Sequence, residues 1–250
     1  MSTADLFPFF EERFGEVDSY IDFLEKVEEA TQSGIPRIAS SGYGITAKQQ
    51  RILYSSVYLQ LYNLVEATMA RCVSELTEAT SAAGRWQPHQ LNDQLLQEWV
   101  RATARTHADM SAPSRLKHAL EMSAHIVQQL PVEPFDIDVG GGGNWDDEVI
   151  YRMAERLGCP LSLTGTTQAN VKRKRRDGLG PLQLVKNRRN GLAHGSISFV
   201  DCADGVVARE LRETSQCVEA YLREVIECFK NYIESYDFLR SDSRPSGDTA

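Results

Sequence analysis

At 250 residues, with 42% hydrophobic and 25% charged side chains, the chain can bury a substantial core, and its composition excludes wholesale disorder and fibrous repeats. A formal net charge of -8 repels nucleic acid on average, so a polyanion partner has to be met by a local basic patch. Cys72, Cys159, Cys202, Cys217 and Cys228 are odd in number and scattered, which fits neither a disulfide framework nor zinc-ligand spacing and points to a reducing, cytoplasmic setting. Residues Met1 to Asp5 turn acidic at once with no apolar stretch behind a basic start, so no secretory signal is expected. No run approaches the roughly 20 apolar residues of a spanning helix, so no membrane partner is expected.

In residues 4–33, Leu6, Phe9, Phe10, Phe14, Val17, Tyr20, Ile21, Leu24 and Val27 recur at three- and four-residue steps, which predicts one or two helices. Gly34 and Pro36 end them, and Ser40 to Gly44 reads as a connecting loop, so residues 1–45 form an N-terminal helical extension. The strongest helical signal covers residues 47–82, opened by Thr46 with Gln49 three residues on, a capping-box pattern. Its stripe of Tyr54, Tyr58, Leu61, Tyr62, Val65, Met69, Cys72, Val73 and Leu76 predicts a spine. At about 1.5 Å per residue the spine is roughly 50 Å long. Helical patterns follow at 89–106 and 114–130, then a loop to Gly143. A helix over 146–157 has Asp146, Asp147 and Glu148 in its first turn, where the helix dipole favours them.

Residues 161–168 read as a polar stretch, and a short helix is predicted over 182–193 with a turn at Gly195. Ser196 to Val200 alternates like a strand but has no obvious partner. A last long helix is predicted over 208–239, closing a main domain of residues 46–240, and the polar tail 241–250 reads as disordered.

Gly140 to Gly143 lack the Gly-Lys-Ser/Thr of a phosphate loop and put Asp146, Asp147 and Glu148 at the following helix mouth, so they read as a hinge. His89, His107, His118 and His125 lack a second ligand at the four-residue step of a helical metal site; no metal is expected. The run Lys172-Arg173-Lys174-Arg175-Arg176 reads either as a solvated loop or as a phosphate-binding patch. It stands out in an acidic chain: from Lys172 to Arg189 eight cations face the single acid Asp177. Lys172, Arg173, Lys174, Arg175, Arg176, Lys186 and Arg188 are therefore the candidate residues for binding RNA or another anionic partner, a nucleotide or an acidic protein.

The run leads to Arg189-Asn190-Gly191-Leu192-Ala193-His194-Gly195. By itself this segment reads as a helix end, with cations near the C-terminal dipole and Gly195 as the left-handed cap. An arginine, a polar residue directly after it and a histidine five positions on also resemble the Arg-x(4-6)-His motif of the HEPN superfamily (higher eukaryotes and prokaryotes nucleotide-binding). Residues 54–239 resemble bacterial members in element order as well: a long amphipathic helix, Gly143-Asn144-Trp145 leading into a short helix that ends at Leu157-Gly158, the motif, and a final long helix.

The resemblance implies an all-α, elongated up-and-down helical bundle with two long helices. It implies a homodimer whose motifs face one another, and an endoribonuclease that needs no metal or other cofactor and cleaves RNA through its 2'-hydroxyl. Such a nuclease acts as a toxin or phage-defence effector, with an antitoxin or other regulatory protein as partner. Family members also include non-catalytic modules that bind RNA, a nucleotide or a protein, and this reading stays open. His194 takes the part of general base or acid, Arg189 stabilises the crowded phosphate, and Asn190 positions the histidine or the substrate. At about 100° per residue, Asn190 and His194 share a face, whereas Arg189 and His194 stand about 140° apart. They meet only if the turn loosens at Gly191 and Gly195 or if two subunits exchange residues. Some HEPN toxins carry a modified tyrosine two positions after the histidine; here that position is Ser196.

Overall fold

A computed structural model describes residues 5–105, 109–139 and 144–245. The tetraglycine hinge, His107 and the last five residues of the tail lie outside these. The described chain is all-α apart from a two-residue hairpin, β1 (Arg37–Ile38) against β2 (Tyr43–Gly44).

Helices α1 (Leu6–Thr31), α2 (Ala47–Ser81) and α9 (Ala208–Glu234) pack on one another as the body of the bundle. α2 starts where the capping box places it: the Thr46 hydroxyl accepts the Gln49 N–H at 3.3 Å, and the Gln49 side chain accepts the Thr46 N–H at 2.8 Å. Every member of its predicted stripe is buried. So are Ser55, Val57, Leu64 and Thr68, because α1, α9, α7 (Pro181–Ala193) and α8 (Phe199–Cys202) all pack on α2. Burying each large apolar side chain contributes about 1.5–3 kcal/mol.

The expected N-terminal extension contributes α1, and its Leu6, Phe10, Val17, Ile21, Leu24 and Val27 belong to the same core as α2 and α9. Ion pairs fix the register: Arg212 of α9 meets Asp18, Asp22 and Glu25, and Arg223 meets Glu11. Rising numbers on α1 meet falling numbers on α9, so the two helices run antiparallel.

Three local expectations are revised, and one helix is left uncovered. Residues 161–168 are not featureless: α6 (Gly165–Lys172) starts there, capped by Thr164 and pinned to α9 where Glu224 accepts the Thr164 N–H at 2.7 Å and the Thr167 hydroxyl at 2.6 Å. Ser196 to Val200 forms no strand, because the Ser198 hydroxyl caps α8 by accepting the Asp201 N–H at 3.1 Å. The last helix stops at Glu234 rather than 239. Tyr236 takes a positive φ of 55°, and buried Phe238 and Leu239 run beside Leu91, with the Asn92 N–H donating to the Phe238 carbonyl at 2.9 Å. Finally, α4 (Ala112–Val127) buries none of its residues and leaves Leu116, Leu120 and Val127 exposed beside α3 (Asp93–Thr103). No helix among the described residues is long and apolar enough to cross a membrane.

Candidate active site

Gly180 and Pro181 open α7, and Leu182, Leu184, Val185 and Leu192 turn inward onto the bundle. The polar residues of the motif are left on the outer side and at the C-terminal end. The end is a Schellman cap: the Ser196 N–H donates to the Gly191 carbonyl at 2.9 Å, the Gly195 N–H donates to the Leu192 carbonyl at 3.2 Å, and Gly195 has φ 69°. Gly191 is needed for a different reason. A Cβ there would lie 2.7 Å from Cγ2 of Ile197, so the returning chain packs on bare backbone. These two glycines therefore tighten the end of α7, and the helix runs without loosening through Ala193.

Arg189 is half-buried and held on two sides. Its guanidinium lies over the ring of Tyr62 from α2, 4.4 Å from the centroid, and its Nη1 donates to Asn190 Oδ1 at 3.0 Å. Tyr62 is itself fixed, fully buried, with its hydroxyl accepting the Trp145 N–H at 3.2 Å just before α5 (Asp147–Arg156). Asn190 thus orients the arginine rather than the histidine. His194 is the C-cap directly after the last helical residue, with φ -90° and ψ 0°; its side chain is exposed and makes no hydrogen bond or ion pair among the described residues. The side chains of Arg189 and Asn190 meet, whereas His194 is joined to Asn190 only through its backbone, its N–H donating to the Asn190 carbonyl at 3.0 Å.

The basic residues fare differently. Lys186 pairs with Asp146, whose side chain is 5% exposed against 22% for the lysine, so the ion pair sits largely out of water beneath the motif. Lys172 reaches Asp147 at 2.5 Å, and that hydrogen bond raises the lysine's pKa. Arg188 pairs with Asp177 at 2.6 Å. Arg176 pairs with Glu210 at 2.8 Å, a bond that also raises its pKa, and donates to the Gly205 carbonyl at 2.7 Å. Arg175 pairs with Glu213 at 2.9 Å. Of the seven candidate RNA-binding residues, Arg173 and Lys174 alone are exposed with no ion pair among the described residues.

Two contributors escaped the sequence reading. Asp146 reads from the sequence as a helix-dipole acid; it does cap α5, accepting the Val149 N–H at 2.9 Å, but it also holds Lys186. Tyr62 reads from the sequence only as core. The available signal is the run Tyr54, Tyr58 and Tyr62 at four-residue steps on one face of α2, because a buried tyrosine hydroxyl needs a partner and its ring can seat a cation.

The family model described as MAE_28990-like HEPN matches residues 2–238. The chain belongs to this HEPN family, and the match takes in α1 as well as the motif helix. Comparison with curated proteins and with solved structures gave no match.

Proposed function

We propose that this protein is a HEPN-type endoribonuclease that cleaves RNA without a metal ion. The observation that carries the reading is the contrast within α7. The Arg189 guanidinium is preset on Tyr62 and Asn190, and a few residues on, His194 presents an unengaged imidazole to solvent. A planar cation held rigid suits a phosphate gaining charge, since little reorganisation is needed when the transition state forms. Imidazole is the side chain suited by its chemistry to take or give a proton around neutral pH.

In the reaction, the 2'-hydroxyl loses its proton to a base and its oxygen bonds to the adjacent phosphorus. The bond from phosphorus to the 5'-oxygen breaks, and that oxygen receives a proton. The products are a 2',3'-cyclic phosphate and a 5'-hydroxyl. Because α7 is regular and Gly191 is pinned by Ile197, Arg189 and His194 of one chain diverge, and a second copy of the chain supplies the complementary half of each site. A homodimer is therefore part of the proposal.

The test is incubation of the purified protein with single-stranded RNA in EDTA. Wild type should yield fragments with 2',3'-cyclic phosphate ends, and His194→Ala should lose at least about 100-fold in rate, the usual contribution of a positioned acid or base. Equal rates for the two proteins would sink the reading.

A further inference from the structure

Between α6 and the first half of α9 lies a cleft of about 590 Å³ whose walls carry Arg173, Lys174, Arg175 and Arg209 against the single carboxylate of Glu213. Four cations around one cleft are unexpected in a chain of net charge -8. Glu213 spans two of them: one oxygen accepts from Arg209 Nε and the other from Arg175 Nη1, each at 2.9 Å. These hydrogen bonds lower its pKa, Arg209 contributing most. Arg173 and Lys174 are left with no counter-charge among the described residues. A single carboxylate thus occupies a place with room and charge for more than one anionic group.

The lining contains no aromatic side chain. Base recognition on single strands relies on stacking platforms, so this cleft is equipped for backbone phosphates and not for bases. It is also joined to the motif. The chain leaves the cleft at Arg175, and two residues on, Asp177 is clamped by Arg188, the residue directly before Arg189.

We infer that the α6/α9 cleft holds the phosphates of the RNA strand at a distance from the scissile one, with Glu213 standing in for a phosphate until the strand arrives. The inference rests on the ribonuclease reading for the identity of the polyanion. It assigns Arg209 to RNA contact, which the sequence did not suggest, and removes Lys172, Arg176, Lys186 and Arg188, whose charges tie elements together. Contact here is blind to base sequence.

The experiment measures binding, by fluorescence anisotropy, of the full chain carrying His194→Ala to a labelled mononucleotide and to single-stranded RNA of about twelve nucleotides, within the range such grooves cover. Affinity should rise steeply with length. Arg173→Ala/Lys174→Ala should weaken the long RNA about tenfold and make the slope of log affinity against log salt shallower by about 1.4, two phosphate contacts on a single strand. Glu213→Gln should tighten binding, and Lys48→Ala/Lys117→Ala, the same charge change elsewhere, should leave it unaltered. The cleft assignment is overturned if the first double variant binds like its parent, if the control pair loses as much, or if the mononucleotide binds as tightly as the strand. The two proposals fail separately. Length-dependent binding lost with Arg173 and Lys174, beside equal cleavage by wild type and His194→Ala, keeps the cleft and ends the nuclease; His194-dependent cleavage with unaltered binding does the reverse.

Discussion

The basic run and the end of α7 are alike in composition and unlike in what the fold does with them. In the run, Lys172, Arg175 and Arg176 are each matched to a carboxylate of α5 or α9. On α7, Lys186 and Arg188 are matched in the same way, while Arg189 is given a tyrosine face and an amide, and the His194 side chain is given no polar partner among the described residues. A count of cations along the chain therefore overstates the patch. Outside the α6/α9 cleft, where Glu213 is shared by Arg175 and Arg209, charges that find acids serve as ties between elements; those supported without being neutralised remain able to act on a ligand.

The comparison can be broken most sharply by paired arginine variants. Arg189→Ala should lower cleavage by about 100- to 1000-fold, the loss seen when one preorganised donor to a developing oxyanion is removed, with the thermal midpoint little moved. Arg176→Ala should show the opposite balance, losing about 1–2 kcal/mol of stability with the bonds to Glu210 and Gly205, and a smaller change in rate. If both variants lose rate and stability in equal proportion, the division between ties and working cations is wrong.

Next in size is the ion pair under the motif. Asp146→Asn keeps a cap for α5 but leaves the Lys186 ammonium without its counter-charge, which should cost about 2 kcal/mol in urea unfolding. The figure is set below the 3–5 kcal/mol of a fully buried pair because the lysine retains some contact with water. Asp146→Asn combined with Lys186→Met should recover part of the loss, since no charge is then stranded. The smallest effect concerns the end of α7. Gly191→Ala gains helix propensity of up to about 1 kcal/mol but forces Ile197 away, for a net loss of about 1 kcal/mol. In an Ile197→Ala background the same change should be neutral or stabilising.

Much of the fold was legible because its causes are local. The Thr46–Gln49 box and the stripe from Tyr54 to Leu76 place α2 to within a residue at each end. α6 was missed because its support is remote: Glu224, some sixty residues on, accepts from Thr164 and Thr167. The end of α9 was misplaced because backbone pairing with residues 90–92 draws Phe238 and Leu239 out of the helix. At the site, Gly195 was legible as a left-handed cap. The sequence offers Gly191, with Gly195, as a place where the turn could loosen, and only the approach of Ile197 makes Gly191 a point of close contact.

The amino-acid order by itself determined that this chain is a helical bundle with one long spine and that Arg189, Asn190 and His194 stand at the end of a short helix. Periodicity, caps and glycine stops act over three or four residues and need no partner. Tertiary structure alone decided which cations are free. The acids that meet Lys172, Arg175, Arg176 and Lys186 lie 25, 38, 34 and 40 residues away, and no local pattern relates them. Electrostatic energy depends on separation in space and on the water left between charges, and both are set only when the helices pack.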